Sequence, residues 1–210
     1  MLRIYETRTE QVVGVRPGPL RLYVQTPGDL RVSLTADLLR RTATRLRRQV
    51  LVTAAEDVDH ASLNIARQDS GEPFPGSLSV GNITSDIRVA PWDSPPHDAE
   101  SLVLRLVLLR NRYRDPLTIT EEALAEATAD LARWREAVAR WGNSPSKPID
   151  QAYAAEAFAA FSDDLDTPNA LKVLERLVAD PDLAPGAKFE TALHLDMVFG
   201  LDLVRHLGRF

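Results

Sequence analysis

Leu20-Arg21-Leu22-Tyr23-Val24, the span Thr35 to Arg48, and Val50-Leu51-Val52-Thr53 decide the fold when taken together. The first run alternates apolar with polar and is rich in strand formers, and the last is a short β-branched run. Between them Leu38, Leu39, Ala43 and Leu46 recur at helical spacing. Strand, helix and strand in that order form the βαβ unit of a parallel sheet. Beyond it, from about Gln68 to Pro96, the chain reads as turns and loops, with Gly71, Pro73, Pro75, Gly76, Gly81, Pro91, Pro95 and Pro96.

From there the pattern is helical. Ala99 to Tyr113 is dense in Leu and Val, as in a helix buried on most sides, and Asp115-Pro116 stops it. Thr120 is placed to cap a helix running to Trp141, with Glu121 and Glu122 in its first turn. A helix follows from about Asp150 to Ser162. Another starts with Thr167 as cap and Pro168 inside. The last runs from Pro185 to Leu207, with an interruption around Gly200. The expected division is a small α/β domain over 1–95 and a helical bundle over 96–210. Trp134 and Trp141 fall on one helix face and are expected to pack against Phe189, Leu193 and Met197.

The chain has 210 residues, 44% hydrophobic and 26% charged, an ordinary globular balance. No apolar run approaches the roughly 20 residues of a membrane-spanning helix, and Met1 to Glu6 does not read as a secretory signal. No membrane partner is expected. With no cysteine, disulfides and thiolate metal sites are excluded, and a cytoplasmic setting is expected. Net charge is −5, split as +3 over residues 1–114 and −8 over 115–210. Nucleic-acid binding leans on a basic excess, so only local arginine clusters suit tRNA.

Several stretches, in order, resemble the cysteinyl-tRNA synthetase family and its mycothiol-pathway cysteine ligase cousin. Leu2 to Thr9 with Leu22-Tyr23-Val24 resembles the family's first strand region. Glu56-Asp57-Val58-Asp59-His60 resembles its acidic segment after the second strand, and Leu78 to Thr84 the tail of the KMSKS loop. Leu108 to Leu117 resembles the R-x-H-Y-R-S-P-L junction, and Phe158 to Leu171 the D-D-F-N-T-P helix pair. The resemblance implies a shortened, degenerate relative. It would keep a small remnant of a Rossmann-like nucleotide-binding domain, followed by helices similar to the stem-contact and anticodon-binding helices.

Set against the family, the residues for ATP chemistry are missing. Gln25 stands where a zinc-binding cysteine is implied, and a neutral amide is a poor ligand, so no zinc, no other metal and no cofactor is expected. The span Thr26 to Ser33 holds no histidine where the HIGH motif would meet ATP phosphates at a helix N-terminus, and Asp29 would repel a triphosphate. Arg31 sits alone there. Pro75 and Leu78 occupy the places of the two KMSKS lysines. Losing one such donor costs about 3 kcal/mol of transition-state stabilisation. The chain is also shortened between Tyr23 and Asp37, and far more so between His60 and Ser77.

Asp57, Asp59 and His60 remain as candidates for acid–base work, against a solvated loop. Tyr23, Gln25, Thr26, Ser79 and Asn82 are the candidate ligand pocket. Arg41, Arg45 and Arg48 share a helix face and could meet phosphate, though Asp37 on that face can pair with Arg41. Arg110, Arg112 and Arg114, with Tyr113 between them, could contact nucleic acid or pair with Asp115, Glu121 and Glu122. The leading expectation is a pseudoenzyme that binds a protein partner, a second copy of itself, a tRNA or a small molecule. The alternatives are an ATP-independent enzyme of specialised metabolism and, last, an ATP-dependent cysteine ligase.

Overall fold

The computed structural model describes residues 1–93 and 99–208; the boundary expected at residue 95, with Pro95, Pro96 and His97, lies outside them. A hairpin opens the chain, β1 (Arg3–Glu6) against β2 (Gln11–Gly14). The βαβ unit follows as β3 (Leu20–Val24), α1 (Leu30–Arg45) and β4 (Val50–Ala54). In β3 the alternation sends Leu20, Leu22 and Val24 inward and Arg21 outward.

Helix α1 begins five residues ahead of the expected Thr35. Its cap is Asp29, whose carboxylate accepts from the N–H groups of Arg31 and Val32. Arg31, Ser33, Thr35 and Asp37 are all buried in its first turns, and buried polar residues hide the apolar period from a reader of sequence. The stretch from Gln68 to Pro96 is corrected as well. It holds three short strands, β5 (Asp69–Ser70), β6 (Leu78–Gly81) and β7 (Ile87–Arg88). Two-residue strands are too short for alternation to register.

All five strands of the main sheet pair in parallel, in the order β5-β4-β3-β6-β7. The order reverses direction between β3 and β6, as in doubly wound nucleotide-binding sheets.

The helices that follow are α2 (Ser101–Leu109), α3 (Glu121–Trp141), α4 (Gln151–Ser162), α5 (Thr167–Ala179) and α6 (Pro185–Phe199). Thr120 caps α3 as expected, accepting from Ala123 N–H. Asp166, not Thr167, caps α5, because the Thr167 hydroxyl donates instead to the Leu109 carbonyl. Helix α6 stops at Phe199 rather than reaching Leu207. Gly200 takes a left-handed φ of 66° there, and the Asp196 carboxylate accepts from Leu201 and Leu203 N–H. Trp134 is fully buried and Trp141 partly so, the latter against the core, while Met197 is exposed. One apolar core runs from Leu2 and Ile4 of the hairpin through Leu22 and Val24 to Leu106, Phe161 and Phe199 of the helices.

Candidate functional site

In an open parallel sheet, ligands bind outside the carboxyl ends of the strands where the order reverses. Here that point is flanked by Gln25 and Thr26 after β3 and by Asn82 after β6. The parallel register sets Tyr23 of β3 opposite Ser79 of β6, and Gln25, Thr26 and Asn82 follow the carboxyl ends of those two strands. Gln25 N–H donates to the Val80 carbonyl at 2.9 Å. Its side chain lies across Gly81, where a Cβ would meet Gln25 Oε1 at 2.6 Å. Ser79 turns away to Asp86, its hydroxyl 2.8 Å from Oδ2.

A chain of polar contacts runs across this edge of the sheet. Thr26 Oγ1 lies 3.5 Å from Asn82 Oδ1, and Asn82 Nδ2 donates to Asp29 Oδ2 at 3.3 Å. Trp92 Nε1 donates to Asp29 Oδ1 at 3.0 Å, the same oxygen that caps α1. The N-terminus of α1 would otherwise offer free N–H groups to an anion. It already holds one, its own carboxylate. Arg31 is buried and turned inward, donating to the carbonyls of Ala90, Pro91 and Arg112. Burial lowers its basicity, while the charges of Asp115 and Asp29 oppose that shift.

The acid–base candidates do not converge. Asp57 forms an exposed ion pair with Arg67, Asp59 accepts from Ala61 N–H at 2.8 Å, and His60 Nε2 sits 2.8 Å from the Pro27 carbonyl. Among the described residues no cluster of three or more His, Asp or Glu could hold a metal.

The arginine candidates are engaged within the chain. Arg41 pairs with Asp37 at 2.7 Å, as its spacing suggests, and reaches the carbonyls of Asn64 and Met197. Arg45 touches the Met197 sulfur. Arg48 donates to the carbonyls of Gly18 and Arg16. Arg110 pairs with Asp130, Arg112 with Asp166, and Arg114 with Asp164 at 2.9 Å while lying over the Tyr5 ring. These carboxylates are not the Asp115, Glu121 and Glu122 that sequence proximity suggests; folding brings them from α3 and the α4–α5 turn.

Two buried hubs escaped the sequence reading. Arg105, fully buried in α2, donates to Asp37, to the Leu63 carbonyl and to the Phe199 carbonyl at 3.1, 2.8 and 2.6 Å. The signal was there, a lone cation inside an otherwise apolar run. Burial lowers its pKa to about 10 despite the nearby Asp37. For Asp37, burial pushes the carboxyl up, yet Arg105, Arg41 and Arg40 outweigh it and hold the pKa below the usual value. The second hub is Asp164, held at φ 58°. It accepts from Tyr5 N–H at 2.8 Å and Tyr113 OH at 2.6 Å. Burial, with Asp164 beside it, drives the Tyr113 phenol pKa up.

A parallel sheet reversing between β3 and β6, with polar side chains at its carboxyl edge and helices following it, defines an α/β protein. No protein-family model matches the chain. Parts of it are 41% identical over 93 residues to an L-cysteine:1D-myo-inositol 2-amino-2-deoxy-alpha-D-glucopyranoside ligase of Thermobispora bispora, covering 43% of this chain and 22% of that one. The ligase of the same name from Thermomonospora curvata is 36% identical over 132 residues, 60% of this chain and 30% of that one. A cysteine–tRNA ligase of Methylocella silvestris is 42% identical over 85 residues, 40% and 17% of the two. The chain is therefore a relative of the cysteinyl-tRNA synthetase-like proteins, and its match spans less than a third of each of these relatives.

Proposed function

We propose that this chain works by binding, on a Rossmann-like remnant of a cysteine-activating ligase, and does not make aminoacyl adenylates. The observation that carries this is Asp29. Its carboxylate fills the N-terminus of α1 and is fixed there by Trp92 and Asn82. A triphosphate would have to displace it or lie against a like charge at close range. The guanidinium of Arg31, in the first turn of α1, is spent on backbone carbonyls. Pro75 and Leu78, where the family resemblance implies lysines, add no cation.

The arginines near the 110–114 junction are ion-paired, which favours a protein or small-molecule partner over tRNA, in a cytoplasmic setting. An ATP-independent enzyme would need Asp57, Asp59 and His60 to face one substrate atom, whereas each holds a different partner. The test is ATP–pyrophosphate exchange with cysteine, alongside calorimetric titration with Mg-ATP. No exchange above the protein-free background and no ATP heat are expected. Cysteine-dependent exchange would overturn the reading.

A further inference from the structure

The opposite edge of the sheet carries a concavity. A cavity of about 550 Å³ lies between the β1–β2 hairpin and the amino ends of β3, β6 and β7. That volume is in the range of small-molecule sites, roughly 300–1,000 Å³. Its floor is apolar, built from Ile4, Val13, Leu20, Leu78 and Ile87, and Ile4, Leu20 and Ile87 are core residues. Its rim carries Arg16, Arg21 and Arg48.

None of these three guanidinium groups is paired with a carboxylate among the described residues. Arg48 is held in place by the carbonyls of Gly18 and Arg16, at 2.8 and 2.7 Å. Arg21 donates to the Pro75 carbonyl, at 3.3 Å. The two acids in the lining are engaged elsewhere. Asp86 accepts from Ser79 N–H and hydroxyl, and Glu6 lies 3.5 Å from Arg8. The lining is thus an apolar floor under a net positive rim.

We propose that this cavity binds a small amphipathic anion, a carboxylate or sulfonate on a compact apolar body, with the acid at Arg48 and the body over Leu20 and Leu78. A polyphosphate does not suit it, because the floor has no donors to replace the water that phosphate oxygens would lose. This site is separate from the carboxyl edge of the sheet, and either reading stands without the other.

The test uses the intact chain and the probe anilinonaphthalene sulfonate, followed by fluorescence, with octanoate and octanamide as competitors. Saturable enhancement at one site is expected. Octanoate should displace the probe, and octanamide, the same body without charge, should do so about tenfold less well. Arg48→Gln should weaken octanoate by about the same factor, and Val13→Trp, which fills the groove, should abolish probe binding. Circular dichroism checks that both variants fold. Amide shifts at Leu20 and Leu78 on adding octanoate to the unmodified chain give a readout free of mutation. No enhancement, equal displacement by the two competitors, unchanged variants, or octanoate shifts confined to other parts of the fold would each overturn the proposal.

Discussion

Asp29 does three jobs with two oxygens: it caps α1, accepts from the Trp92 indole and holds Asn82. Asp29→Ala removes the cap and leaves an indole N–H without its acceptor, so a loss of about 2 kcal/mol is expected. Asp29→Asn keeps an oxygen for both tasks and should recover most of it. Urea denaturation followed by tryptophan fluorescence measures both, and equal losses in the two variants would refute the triple role. A reader of the sequence could see Asp29 only as a repelling charge at a place where phosphate might sit. That Trp92 would lie over it depended on the path from β7 to α2, which no local pattern encodes. The place of Gln25, Thr26 and Asn82 at one sheet edge, by contrast, follows from strand order alone, whereas the bond from Ser79 to Asp86 does not.

Among the elements, α1 shows best what pattern reading misses. Its second half was read correctly from Leu38, Leu39, Ala43 and Leu46, and its first half was lost among buried polar residues. One of these, Asp37, meets Arg105 from the equally buried α2. Removing one partner of a buried pair costs roughly 3–5 kcal/mol, since it strands the other charge. Arg105→Met should fall at the low end, because Arg40 and Arg41 still face Asp37, and Asp37→Leu combined with Arg105→Met should recover part of the loss. The pair also sets an acid limit. The folded pKa of Asp37 is below its unfolded value, so its contribution is complete above the unfolded value and is lost as pH falls through the folded one. Asp196, also near Arg105, has a pKa raised by burial and so has the opposite sign. Comparing the chain with Asp37→Asn between about pH 2 and 5 isolates the Asp37 part. The variant should be less stable near neutrality and flatter toward acid, and parallel curves would contradict this account.

At the scale of the molecule, the question is whether the sheet and the helices unfold together. Sequence suggested two domains, because loop residues gather near position 95 and the pattern changes character there. The core is continuous across that point in space, since α1 packs on the sheet and also against α4 and α6. Asp164, in the turn between α4 and α5, adds a polar tie by binding Tyr5 of the hairpin and Tyr113 and Arg114 of the junction. A shared core and a shared hub should give one cooperative heat transition, with calorimetric and van't Hoff enthalpies equal. Asp164→Ala leaves a buried phenol and a backbone N–H unsatisfied and releases Arg114, at a cost of about 3 kcal/mol. That loss falls mostly on the hairpin side of the hub, because the helices keep Arg112–Asp166 and their own packing. The variant should therefore show faster amide exchange in β1 and β2 than in α3 to α6, and its transition should broaden or split. Uniform exchange and a single sharp transition in the variant would mean that apolar packing alone couples the two parts.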